Sequence, residues 1–92
     1  MTILVTRFSA EWCQPCKMLK PVFQELQSHF AGKNVTFREV DVDSYRDMAA
    51  AEGVRSVPTV VIYRDGVEVE RFTGVRSKTD YVNAINRLLV YL

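Results

Sequence analysis

The order in which the hydrophobic period changes along this chain narrows its fold more than any other feature. Residues 2–8 (TILVTRF) are apolar and β-branched, as a buried strand requires. Over residues 13–30 the spacing becomes helical: Leu19, Val22, Phe23, Leu26 and Phe30 fall at offsets of three, four, seven and eleven and share one face. Pro21 removes a backbone donor inside that helix and crowds the preceding turn, which predicts a kink. Gly32 marks the stop. Residues 35–42 (VTFREVDV) alternate as a strand does. A short helix is predicted from Ser44, with Asp47 in its first turn and Gly53 past its end. Residues 59–64 (TVVIYR) and 67–72 (VEVERF) form two more strands. Asp65-Gly66 joins them, a dipeptide suited to a tight hairpin because both central residues take positive φ. Ser77 opens the last helix with Asp80 completing a capping box, and Tyr81, Val82, Ile85, Leu88 and Leu89 form its inner face.

The order is β-α-β-α-β-β-α. Two strands that flank a helix run parallel with a right-handed crossover, and the last two strands form an antiparallel hairpin. The expected fold is α/β, a four-stranded mixed sheet covered by three helices. At 92 residues the chain is expected to form a single domain over 1–92, with one core.

Only two cysteines are present, Cys13 and Cys16, so no disulfide framework staples this fold. The ring they close is too small to brace the chain; the pair reads as chemistry rather than architecture. A zinc site needs four nitrogen or sulfur ligands. His29 is the one histidine and lies far along the helix, so it is read as a surface or helix-end residue. A net charge of +1 with scattered Lys and Arg gives no reason to expect nucleic-acid or acidic-membrane binding. No apolar run is long enough to span a membrane, and the start of the chain, interrupted by Arg7, is unlike a signal peptide. A cytoplasmic location is expected.

The segment Ala10-Glu11-Trp12-Cys13-Gln14-Pro15-Cys16-Lys17 follows a strand and opens a helix. Cys13 then lies at a helix N-terminus, where unpaired N–H groups and the helix dipole favour an anion. That setting lowers a thiol pKa from about 8.5 to about 7. Cys13 is the expected attacking thiolate, and Cys16, one turn further in, the resolving thiol. Pro15 suits the first turn and stiffens the ring between the sulfurs. Trp12 is read either as an apolar lip beside the attacking sulfur or as a core aromatic.

At WCQPCK the sequence resembles the thioredoxin family. The resemblance continues through Cys16-Lys17-Met18-Leu19-Lys20-Pro21, Val40-Asp41-Val42-Asp43, Val54-Arg55-Ser56-Val57-Pro58-Thr59, Arg64-Asp65-Gly66 and Phe72-Thr73-Gly74, covering nearly the whole chain. It implies that Pro58 is cis and lies against the two sulfurs, leaving the backbone of Val57 free to pair with an extended client segment. It further implies an apolar docking surface made of Trp12, Val57, Pro58, Gly74 and Val75, with Gln14 and Pro15 supporting the cysteines.

Two departures from the family pattern stand out. The family usually carries an extra strand and helix before the strand that leads into the cysteines. Here twelve residues precede Cys13, so a compact version is expected, similar in outline to glutaredoxin. The strand at 35–42 would then be a sheet edge, with Thr36, Arg38 and Asp41 discouraging further pairing. The family also usually places a buried acid six residues before the first cysteine, where this chain has Arg7. Arginine cannot accept a proton at neutral pH, but it favours a nearby thiolate. Glu39 on the neighbouring strand is a candidate partner for Arg7 and a stand-in base. The opposing reading turns Arg7 out to solvent.

The resemblance implies a protein disulfide reductase recycled by an external thioredoxin reductase, acting on disulfide-containing clients such as ribonucleotide reductase, as a monomer. No G-x-G-x-x-G segment is present to hold a nicotinamide or flavin, and no cofactor beyond the Cys13–Cys16 disulfide is expected. Two other functions fit parts of the sequence. A glutathione-dependent glutaredoxin suits the compact size but not the Gln14-Pro15 dipeptide. A binding module would use the same apolar surface without redox chemistry.

Overall fold

A computed structural model describes residues 2–90. The elements follow in the order β1 (Ile3–Ser9), α1 (Gln14–His29), β2 (Val35–Asp41), α2 (Arg46–Ala51), β3 (Thr59–Arg64), β4 (Val67–Thr73) and α3 (Lys78–Val90). The strands lie in the order β2-β1-β3-β4. β1 pairs parallel to β2 and antiparallel to β3, and β4 completes the hairpin with β3. This is the mixed α/β sheet with three helices that the order of periods predicts.

Alternation along β1 sends side chains to two cores. Ile3 and Val5 join Val60 and Ile62 on one face, under Leu19, Phe23, Leu26 and Phe30 of α1 and Tyr81, Ala84 and Ile85 of α3. Phe8, Val61 and Tyr63 on the other face meet Val40 and Ala49, the latter from α2. Burying both faces explains why β1 and β3 read as nearly continuous apolar runs rather than alternating ones. Tyr81 ties the larger core together, its ring edge-on to both Phe23 and Phe72 at centroid distances of 5.6 and 5.2 Å.

The hairpin turn takes φ of 51° at Asp65 and 84° at Gly66, the geometry its dipeptide favours. Ser77 Oγ accepts the Asp80 N–H at 3.3 Å and caps α3. The helix α2 corrects the sequence expectation. It begins at Arg46 rather than Ser44, and its cap residue Tyr45 makes no side-chain bond. Asp41 is the cause: its carboxylate accepts the N–H groups of Asp43 and Ser44 at 2.8 and 3.2 Å, and its carbonyl accepts Tyr45 N–H. That local turn occupies the residues that would have formed the first helical turn.

Candidate active site

β1 is buried along most of its length and delivers the chain to Ala10, also buried. A turn follows, closed by Cys13 N–H donating to Ala10 O at 3.2 Å. Cys13 is thereby placed as the N-cap of α1, with extended φ −91° and ψ 107°, and its sulfur accepts the Cys16 N–H at 3.2 Å. A sulfur in the position of a capping oxygen receives the helix's unpaired donors directly. Pro15 withholds no useful donor in this first turn, and no acidic side chain there competes for the positive end of the helix. Gln14 and Pro15 are exposed on the outer side of the turn.

Cys13 and Cys16 are joined as a disulfide, with Cα atoms 5.3 Å apart. Both are buried, Cys13 at 4% and Cys16 at 3% exposure, so burial does not distinguish them in the oxidised state. Their positions on the helix do: Cys13 caps its end and Cys16 lies inside it. They pack with Ala10 against Val42 and Val57.

The loop before β3 faces this pair. The Val57–Pro58 bond is cis and Pro58 is buried. Thr59 Oγ1 donates to Ser56 O at 2.8 Å and Gly74 N–H donates to Pro58 O at 2.9 Å, which locks the loop from both sides. Gly74 takes φ +85°, a conformation that favours glycine. The Cys13 sulfur lies 3.7 Å from the Val57 carbonyl oxygen. In the disulfide this is a contact, because the sulfur carries no proton to donate. Among the described residues no backbone group pairs with the Val57 N–H or C=O.

Trp12 is 70% exposed and is therefore not a core residue. Its indole Nε1 donates to Asp43 Oδ2 at 2.8 Å. Val75 is 44% exposed on the segment that follows Gly74. Sequence reasoning does not single out Asp43 as a site residue; its bond to Trp12 spans 31 positions and leaves no periodic trace.

Arg7 faces inward, with its side chain 8% exposed, and forms an ion pair with Glu39, whose side chain is 53% exposed. The two are direct partners in the parallel register of β1 and β2. The Arg7 guanidinium also lies over the Phe23 ring, 5.3 Å from its centroid, while among the described residues its Nε has no hydrogen-bond partner. Arg7 and Glu39 line a cleft of about 520 Å³ together with Cys16, Lys17, Lys20 and Asp41. His29 is exposed at the end of α1 beside the Phe30 ring and lies outside this site.

A strand that feeds a two-cysteine helix cap, facing a cis-proline loop with open backbone groups, defines a thiol–disulfide oxidoreductase. The thioredoxin family model matches residues 1–87. Thioredoxin of Chlamydia caviae is 36% identical over 85 residues, 92% of this chain and 81% of that protein. Thioredoxin of Oryctolagus cuniculus is 44% identical over 87 residues, 95% of this chain and 80% of that protein. The structure of Fasciola hepatica thioredoxin superposes with a TM-score of 0.85 and 36% identity, over 94% of this chain and 80% of that one. The chain belongs to the thioredoxin family. It is a dithiol disulfide reductase, and thioredoxins as a family need no cofactor beyond the redox-active disulfide. Membership brings with it disulfide-containing client proteins and a thioredoxin reductase as partners in general terms. Among the described residues no helix is long and apolar enough to cross a membrane.

Proposed function

We propose that Cys13 is the attacking nucleophile and Cys16 the resolving thiol of this reductase. In the reduced protein the Cys13 thiolate attacks one sulfur of a client disulfide. A mixed disulfide forms and the client's other sulfur leaves as a thiolate, which takes up a proton. Cys16 then loses its proton and attacks the Cys13 sulfur, releasing the second client thiol and closing the Cys13–Cys16 disulfide. Two electrons have passed to the client, and an external reductase returns them. The observation that carries this assignment is the Cys13 sulfur at the helix cap, where the Cys16 N–H already points at it.

Val57, Pro58 and Gly74 form the rail along which an extended client segment pairs, using the open N–H and C=O of Val57. Trp12 and Val75 supply exposed apolar contact on either side. Gln14 and Pro15 shape the first turn around the sulfurs. Glu39 receives the Cys16 proton through the shared cleft, and Arg7 positions it. The protein acts as a single domain over residues 1–92, as a monomer in the cytoplasm, carrying electrons to clients that include ribonucleotide reductase.

Trapping a mixed disulfide tests the assignment of roles. Incubated with an oxidised client, Cys16→Ser accumulates a covalent complex through Cys13, whereas Cys13→Ser accumulates none. A stable complex formed by Cys13→Ser through Cys16 would reverse the roles.

A further inference from the structure

We infer that Arg7 and Glu39 act in opposition to set how strongly the Cys13–Cys16 pair oxidises or reduces. This deepens the proposed roles of the site and rests on Cys13 and Cys16 being the redox couple. Arg7 extends from β1 beneath α1. Its guanidinium touches Phe23, and Phe23 lies two turns along α1 on the face that carries Cys16. Arg7 and Cys16 line one cleft. A buried cation thus shares with the resolving cysteine one cleft beside α1.

Reduction of the disulfide takes up two electrons and two protons, or one proton when one sulfur remains a thiolate. A buried cation favours that thiolate and therefore the reduced form. It makes the protein a stronger oxidant and a weaker reductant. Glu39 counters it, but unequally. The Arg7 side chain is only 8% exposed, whereas that of Glu39 is 53% exposed, so water screens the carboxylate more than the guanidinium. Other charges facing the cleft are Lys17 and Lys20 from α1, Glu11 from the preceding turn and Asp41 from β2. Three of those lie on residues that are exposed and one, Asp41, is half-buried, leaving Arg7 as the buried charge nearest the core.

The two residues therefore have opposite signs of effect. Arg7→Met makes the disulfide harder to reduce. Glu39→Gln, which leaves Arg7 unopposed, makes it easier. The effect also depends on pH. With both sulfurs protonated, Arg7 has no anion to favour, so wild type and variants converge at about pH 5 and separate as the pH rises past the thiol range.

The experiment equilibrates each protein with glutathione and glutathione disulfide, alkylates the thiols and counts them by mass. Two glutathione thiols reduce the protein disulfide and become one glutathione disulfide, so the balance needs no other reactant. At about pH 9, the equilibrium constant for reduction should fall about tenfold in Arg7→Met and rise severalfold in Glu39→Gln, with differences nearly gone at about pH 5. Shifts of the same sign in both variants, or an offset that is constant across pH, would overturn the inference, since a merely structural role gives a constant offset. Should Arg7→Met fail to fold, Glu39→Gln decides alone, because that side chain is half-exposed; a fall or no change would then refute. An equilibrium constant is blind to which group carries the proton in turnover, so it is independent of Glu39's role as base. Failure of the underlying assignment is also distinguishable: wild type itself would show no two-thiol exchange with glutathione.

Discussion

Trp12 is exposed, and its indole N–H donates to the Asp43 carboxylate, a bond that orients the ring at the surface proposed to meet clients. Replacing Asp43 with Ala removes the acceptor 2.8 Å from the indole Nε1 and touches no core residue. A hydrogen bond to a charged group contributes about 1.5–3 kcal/mol when shielded. Here both partners are exposed, and about 1 kcal/mol is the reasonable figure for a solvated contact. That energy corresponds to about a fivefold fall in the equilibrium constant between the bonded and the released ring, so the bonded fraction drops about twofold. The value of kcat/KM for a protein disulfide should then drop about twofold, chiefly through KM, with the melting temperature nearly unchanged. Trp12 is the only tryptophan, so its fluorescence anisotropy reports the loosened ring directly. Asp43→Asn keeps an acceptor oxygen and should lie between wild type and Ala. Unchanged anisotropy together with unchanged kcat/KM in Asp43→Ala would refute the claim that this bond positions Trp12.

Two further substitutions test the fold that carries the site. Tyr63 is buried, and among the described residues its hydroxyl makes no hydrogen bond of normal geometry, its interaction with Glu52 being a weak one, so Tyr63→Phe should change stability by less than about 1 kcal/mol at neutral pH in urea melts. Burial, with a smaller push from Glu52, also raises Tyr63 from 10.0 to about 12. The unfolded chain therefore loses this proton above pH 10 while the fold retains it, and the stability attached to Tyr63 declines as the pH rises past 10. The Phe variant should show a shallower alkaline decline; an identical decline would assign it to other groups. Gly66 has φ 84°, and among the described residues no atom beyond its chain neighbours lies within 4 Å of where a Cβ would sit, so Gly66→Ala should cost about 1 kcal/mol through backbone strain alone. A neutral result would mean that the turn relaxes to another type.

Much of this architecture is legible in the residues because local chemistry and tertiary packing agree. Thr59–Arg64 appears as a strand with the bounds its composition suggests, and Asp65-Gly66 turns where its conformational preference says it should. On α3, Tyr81 and Ile85 are fully buried as their spacing requires, while Val82, Leu88 and Leu89 pack at the margin. The start of α2 escapes sequence reasoning because Ser44 has the chemistry of a cap, yet Asp41 captures its N–H first. That competition depends on where β2 ends, which alternation fixes only loosely. The site divides along the same line. The cysteine spacing, the strand before it and the helix after it are local and visible. The Trp12–Asp43 bond joins residues 31 apart, and no period in the sequence connects them. For Arg7 the residues leave two courses open. The parallel register, which sets Arg7 against Glu39, and the Phe23 ring beneath the guanidinium are what the chain uses to keep it inside.

Reduction of insulin disulfides by dithiothreitol, followed by turbidity with and without the protein, tests the central claim most directly. Wild type should accelerate precipitation strongly, with Arg7 in place, and Cys13→Ser should abolish the acceleration. No acceleration by wild type, or full activity in Cys13→Ser, would contradict a reductase built on Cys13 and Cys16.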